Sequence, residues 1–290
     1  MASAFNSPPT SSCSAAGGRC SAIDEVSEEE ELRLALIASQ PQVGEAEGID
    51  SIAAEYADNE QFRECAVSLG SKLGYTGVRR MRPDGSCFYR GWLWALLRHM
   101  SQGKAVYERL VGLHAGAVPR LAAAGLEPLV VEDFAAAFGE MLMTLPGSDP
   151  DVATALLSAD MDSMYLLVMV RYLASAGVAE AAHALAPLLA AEAVSEGGGG
   201  GGGGGGHGSG SGSAGSISAY RRGRVEGTSA EADHVAIACL SAVTGVPVAV
   251  VSLSASGSPG VTVFPAGASA ESAPVHLLLR PGHYDVLTRE

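Results

Sequence analysis

Arg79-Arg80-Met81-Arg82-Pro83-Asp84-Gly85-Ser86-Cys87-Phe88-Tyr89-Arg90-Gly91-Trp92-Leu93-Trp94 is the stretch on which the fold turns. Pro83-Asp84-Gly85 is a turn signal: proline presets its own φ, and glycine accepts the positive φ that a tight turn asks for. An apolar pattern of helical period starts straight after Cys87 and predicts a helix over Phe88–Met100. Cys87 then stands at a helix N-terminus, where unpaired backbone N–H groups and the helix dipole favour thiolate over thiol. The same turn can aim successive N–H groups at one point, as an oxyanion hole requires. Position alone leaves a second reading equally open, a buried structural thiol beside a turn.

A partner for such a thiol stands near the other end of the sequence. Arg280-Pro281-Gly282-His283-Tyr284-Asp285-Val286-Leu287 places a turn ahead of a histidine, with an aspartate two residues on. On a strand, residues i and i+2 share a face, so the Asp285 carboxylate can fix the tautomer and orientation of the His283 imidazole. An exposed turn could carry His-x-Asp equally well. A turn–Cys–helix and a turn–His-x-Asp strand in one chain together point to nucleophilic thiol chemistry.

Around these two blocks the pattern is helical first and β-rich last. Helical spacing is read over Ser51–Gly74, Val131–Leu145, Asp151–Leu157, Asp162–Ala176 and Glu231–Val243, the last ending at Gly245. Short β-rich runs follow at Val246–Leu253, Val261–Phe264, Val275–Arg280 and Tyr284–Leu287. Helices followed by an antiparallel meander predict an α+β domain.

The 290 residues carry 47% hydrophobic and 17% charged residues, enough apolar material for a sizeable core. The 18 basic and 32 acidic side chains give a net charge of −14, unsuited to gripping nucleic-acid phosphates or an anionic membrane surface. No apolar run approaches the length of a membrane span, because Arg171 interrupts the longest, around Tyr165–Val170. The expectation is a soluble intracellular protein, cytoplasmic with the nucleus as a further compartment. Cys13, Cys20, Cys65, Cys87 and Cys239 are odd in number and contain no C-x-x-C pair, so neither a disulfide framework nor a structural zinc site is expected. No cofactor and no metal are expected.

Two low-complexity blocks divide the chain. Residues 1–26 are Ser-, Pro- and Gly-rich and read as a disordered tail. Residues 195–216 contain ten consecutive glycines, Gly197–Gly206, and read as a flexible insertion in a catalytic domain spanning 49–290.

Pro83–Arg90 and the segment RPGHYDVL at 280–287 resemble the two active-site blocks of the otubains, ovarian-tumour-type deubiquitinating cysteine proteases of peptidase family C65. Glu132-Asp133-Phe134, the Tyr165–Tyr172 helix, Glu231-Ala232-Asp233-His234, Val263-Phe264-Pro265 and Val275–Arg280 resemble the family in the same order. The resemblance implies a papain-like fold of the otubain type, helical in its N-terminal part with a small, mostly antiparallel sheet. It implies Cys87 as nucleophile, His283 as general base and acid, Asp285 as orienting carboxylate, and Asp84 in the oxyanion-stabilising turn. It also implies hydrolysis of the isopeptide bond between the ubiquitin C-terminal glycine and lysine, with lysine-48-linked chains favoured. Ubiquitin, polyubiquitin and ubiquitin-conjugating enzymes are the implied partners, and a binding regulator with little catalysis is the alternative. The chain departs from the family at Ser86, where asparagine is more usual, and at the glycine block, where the family has helical segments that help hold ubiquitin.

Ser27–Gln40, SEEEELRLALIASQ, adds a second ubiquitin-directed expectation. Four acids precede Leu32, and Leu32, Ala35, Leu36 and Ser39 would share one face of a helix spanning 27–40. The segment resembles a ubiquitin-interacting motif, an acidic entry followed by a helix whose small residues allow close approach to an apolar patch. The competing reading is a solvated acidic helix packed on the catalytic domain. His99, His114, His183, His234 and His276 have no evident catalytic partner and read as packing, capping or surface residues.

Overall fold

In the computed structural model, which describes residues 28–102, 104–145, 149, 151–196 and 212–289, the turn before Cys87 separates a strand from a helix. The helices are α1 (Glu28–Ser39), α2 (Asp50–Glu55), α3 (Glu60–Ser71), α4 (Cys87–Gln102), α5 (Lys104–Ala115) and α6 (Ala117–Ala123). After them come α7 (Pro128–Thr144), α8 (Val152–Ser158), α9 (Asp160–Glu180), α10 (Ala182–Glu196), α11 (Gly212–Tyr220), a π-helical turn Arg221–Glu226, and α12 (His234–Thr244). The strands are β1 (Val43–Gly48), β2 (Gly77–Met81), β3 (Val248–Ser252), β4 (Gly260–Phe264), β5 (Val275–Arg280) and β6 (His283–Thr288). The body of the fold begins at Ile37, and the helical Glu28–Leu36 belongs to a separate unit.

The six strands form one sheet in the order β1-β2-β6-β5-β3-β4. Its central strands are buried on both faces, and neighbouring residues divide between two cores as the period-two pleat demands. Val250, Leu277 and Val286 face the large core built on α4, α7, α9 and α12. Val251, Leu278 and Leu287 face a smaller core with Ile52 of α2 and Leu69 of α3. The architecture is thus α+β, a mixed sheet between a thick helical layer and a thin one. No single helix among the described residues is long and apolar enough to cross a membrane. The longest, α9, is a core helix with twelve buried residues.

Several expectations are corrected. The C-terminal strands are not a simple meander: β3 pairs antiparallel with β4 but parallel with β5, because the chain returns after β4 to the other side of β3. The helix expected over Ser51–Gly74 breaks at Tyr56–Asn59, where the Asn59 side chain accepts the Phe62 N–H at 3.3 Å and caps α3. The domain expected from Ile49 begins earlier, with β1 pairing against β2. β1, VGEAEG, is an edge strand lacking apolar alternation, which is why its sequence does not announce it. The rims of the glycine block are helical, α10 running to Glu196 and α11 starting at Gly212. The rest of that block, 197–211, and the tail expected over 1–26 lie outside the described residues.

Candidate active site

Pro281 and Gly282 close β5 onto β6 as a two-residue hairpin, with Arg280 paired to His283 and Gly282 at φ +68°. His283 therefore opens β6, and Asp285 follows on the same side of the strand. His283 Nε2 and Asp285 Oδ1 are 2.9 Å apart. Asp285 is fully buried, and its Oδ1 also accepts the Met81 N–H at 3.0 Å. Its Oδ2 accepts from Arg280 at 2.6 Å and from Arg80 at 3.4 Å. Extending the β2–β6 register by one residue brings Arg80 opposite Asp285, so this contact is a cross-strand pair. Both arginines are in turn held by Glu55, and Arg80 also by Glu47 at 3.0 Å and Ser51 at 3.3 Å.

Burial opposes charge on both members of the His283–Asp285 pair. It pulls the imidazole down, but the bond to Asp285, the neighbouring Cys87 sulfur and the charges of both outweigh it, raising the His283 pKa to about 9. Burial likewise pushes the Asp285 carboxyl up, and the His283 bond, the Arg280 charge and the Met81 N–H more than reverse this, leaving it below its ordinary value. His283 Nδ1 is buried without a partner of full hydrogen-bond geometry, and with Nε2 given to Asp285 it is the nitrogen left to serve the Cys87 sulfur. Cys87 is the first residue of α4 and is 2% exposed. The fold thus joins Cys87, His283 and Asp285, from opposite ends of the sequence, in one cluster.

The turn before Cys87 is locked from inside. Asp84 Oδ1 accepts the Ser86 N–H at 3.0 Å and Arg90 NH1 at 2.9 Å, while Oδ2 accepts Arg90 NH2 at 2.7 Å. Burial raises the Asp84 carboxyl, but the two-point Arg90 pair and the Ser86 N–H hold it below the usual range. The Asp84 N–H donates to Arg82 O at 3.0 Å. Two of the turn's N–H groups are therefore used internally, and those of Gly85 and Cys87 are the ones left to face a substrate oxygen. Gly85 has φ +79°, and a Cβ there would collide with the Ser229 backbone, so only glycine fits.

A cleft of about 350 Å³ opens beside this turn, lined in part by Asp84, Ser86, Arg90, Arg171, Thr228 and Ser229. Sequence reasoning missed Arg80, Arg90, Arg171 and Arg280. One signal was present: an arginine interrupting an apolar run on a core helix has to find buried acceptors.

Leu32 and Leu36 on α1 are 72% and 64% exposed, Ala35 and Ser39 are exposed as well, and α1 buries no residue. His114 Nε2 lies 2.9 Å from Ala135 O, and His276 Nδ1 lies 2.8 Å from the Tyr75 hydroxyl. Burial, with the Arg289 charge beside it, lowers the His276 pKa to about 4, keeping this half-buried imidazole neutral. His234 follows Asp233, whose carboxylate caps α12 through the Ala236 N–H at 2.9 Å. Burial pushes the Cys239 thiol up to about 11, as befits an inert core side chain. Among the described residues, no three His, Cys, Asp or Glu side chains gather as a metal site.

Comparison with known proteins agrees with this geometry. The family described as peptidase C65, otubain, matches residues 36–289. The ovarian tumor domain-containing deubiquitinating enzyme 1 of Arabidopsis thaliana is 30% identical over 93% of this chain and 87% of its own length. The ubiquitin thioesterase OTUB1 of Homo sapiens is 26% identical over 93% of this chain and 92% of its own. A solved ceOTUB1 complex with ubiquitin aldehyde and UBC13~Ub superimposes with a TM-score of 0.74 at 22% identity, covering 91% of this chain and all of that one, so the fold is the same. With the family matched along nearly its whole length and a thiol, an imidazole and a carboxylate gathered at its centre, the chain belongs to the peptidase C65 otubain family.

Proposed function

We infer that this otubain is a cysteine-type deubiquitinating enzyme, a hydrolase that releases ubiquitin through its C-terminal glycine. The observation that carries the reading is the His283–Asp285 pair at 2.9 Å, with Cys87 raising the pKa of the same imidazole. The Cys87 thiolate attacks the glycine carbonyl of the isopeptide, and the carbonyl electron pair moves onto oxygen. The Gly85 and Cys87 N–H groups are the donors available to that oxyanion, worth about 3–4 kcal/mol each in comparable sites. Collapse breaks the C–N bond as His283 protonates the departing lysine amine. His283 then takes a proton from water, which hydrolyses the thioester and frees the ubiquitin carboxylate and the thiol. Asp285 holds the imidazole throughout.

Polyubiquitin joined through lysine-48 of ubiquitin is the favoured substrate, from the family resemblance. The relatives' names, deubiquitinating enzyme and ubiquitin thioesterase, support ubiquitin as substrate. Solved relatives in complex with UBC13~Ub and UBCH5B~Ub support conjugating enzymes as partners. On α1, the exposed Leu32–Ala35–Leu36–Ser39 face behind four acidic residues fits a ubiquitin-binding helix. Incubating each diubiquitin linkage with the intact protein and with Cys87→Ala tests the reading. Cleavage is expected from the intact protein, fastest on lysine-48-linked dimers, and none from the variant. If neither protein cleaves any dimer while both bind a ubiquitin-charged conjugating enzyme, the regulator reading replaces this one.

A further inference from the structure

We propose that Arg171 is a positioning residue for the reaction: it clamps the turn that holds the oxyanion donors to the segment following the glycine block. The proposal rests on the thiol mechanism above and adds to it a residue on a different helix from the nucleophile. Arg171 lies on α9 and is fully buried. Its guanidinium bonds five oxygens. NH2 donates to Gly85 O at 2.9 Å, Ser86 Oγ at 3.0 Å and Thr228 O at 3.0 Å, and NH1 to Val225 O at 3.1 Å and Ala230 O at 3.0 Å. The cation also stands 4.2 Å from the centre of the Tyr89 ring.

None of these five acceptors is a carboxylate, which is a costly way to bury charge unless the geometry it enforces is needed. That geometry is specific. Drawing the Gly85 carbonyl towards α9 turns the N–H of the same peptide plane, on Ser86, the other way, where Asp84 Oδ1 receives it. With the Gly85–Ser86 peptide pinned at both ends, the preceding and following N–H groups, on Gly85 and Cys87, keep a fixed mutual orientation. Pre-oriented donors of this kind stabilise an oxyanion because they need no reorganisation during the reaction.

The same guanidinium fixes the other partner of the clamp. Ser86 Oγ donates to Thr228 O at 3.0 Å, and Gly85 lies against the Ser229 backbone. One turn further along α9, Ser175 Oγ donates to Glu226 at 2.5 Å and accepts from Arg221 Nε at 2.8 Å, fastening the π-helical turn that delivers Val225 O. Successive turns of α9 thus bind both ends of residues 221–230, and the catalytic turn reads their placement through Arg171.

The test uses the full chain with Arg171→Ala and Arg171→Lys, assayed on a ubiquitin C-terminal amide substrate and by hydrogen exchange. In Arg171→Ala, kcat is expected to fall about 100-fold with KM within about threefold of the parent, since donor misplacement harms only the transition state. Added guanidinium, entering through the cleft that Arg171 lines, should restore part of kcat, and Arg171→Lys should fall in between. Exchange should accelerate in peptides covering 82–90 and 225–230 while β3 and β5 keep the parent rate. Unchanged kcat in Arg171→Ala, or a loss that neither guanidinium nor lysine relieves and that comes with faster exchange throughout the sheet, overturns the proposal. If the parent itself cleaves no ubiquitin substrate, the functional reading fails. The exchange pattern then decides the clamp alone: local acceleration upholds it and uniform protection refutes it.

Discussion

Asp285 is the residue on which the site's electrostatics converge. Two arginines, a backbone N–H and the imidazole all donate to one fully buried carboxylate, and Glu47 and Glu55 answer the arginines from behind. Without those two acids, the guanidinium charge would compete with His283 for the carboxylate. Asp285→Asn keeps the shape and removes the charge that raises the imidazole. Its kcat on a ubiquitin amide should drop by about 10⁴-fold, as for other triads deprived of their carboxylate. The pH profile should respond as well. A pair working as thiolate and imidazolium loses activity as His283 deprotonates, so the alkaline limb belongs near pH 9 and should move down towards 6.5 in Asp285→Asn. Stability follows the same group: a folded pKa above the ordinary 6.5 gives a contribution complete below pH 6.5 and lost as pH rises through about 9. Urea midpoints on either side of that window should differ in the parent and converge in the variant. Cys87, His283 and Asp285 were legible because turn, helix start and strand period are local signals. Arg80 and Arg280 were not, because a charge on a short strand looks solvated until the partner strand is known.

Among the elements, two close approaches separate stability from turnover. α9 and α12 touch where Gly177 has no side chain, since a Cβ there would lie 2.7 Å from Cys239 O and 2.8 Å from Val243 Cγ2. Gly177→Ala should push the helices apart at about 1–3 kcal/mol, read as a fall in Tm of about 2–10 °C. Gly85→Ala strikes the catalytic turn instead, combining a positive φ with a clash against the Ser229 backbone. It should lower kcat at least tenfold in protein that remains folded, on the argument that about 1.4 kcal/mol of transition-state stabilisation is a factor of ten. The α4, α9 and α12 helices could be read from apolar spacing. By contrast, α10 and β1 escaped because their alanine, glycine and glutamate content carries little periodic contrast, and the seven-residue α6 is too short to show a period.

For the whole molecule, the sheet brings the two ends of the sequence together: β6 lies between β2 and β5, and its register carries His283 to Cys87. The N-terminal edge of that body shows where a truncation should fall. Gln40 O accepts Arg82 Nε at 2.8 Å and Gln42 O accepts the Arg82 N–H at 3.1 Å, so residues from Ile37 onwards support the catalytic turn. Deleting residues 1–36 should slow trimming of long ubiquitin chains and leave turnover of a ubiquitin amide within about twofold, the expected signature of a lost tether. Equal loss on both substrates would place Leu32 and its neighbours in the catalytic body. The α+β class was legible from the order of helical and strand-like runs. The parallel β3–β5 pairing was not, because strand order depends on contacts distant in sequence.

The pairing of β6 with a strand from the first half has a consequence for a bisected chain. A cut within 197–211 leaves the sulfur on one fragment and the imidazole on the other, while α10 and α11 still pack together across the break. Neither piece should hydrolyse anything by itself. Mixed, they should regain activity by complementation, with a rate that climbs with concentration until the missing strand has found its slot.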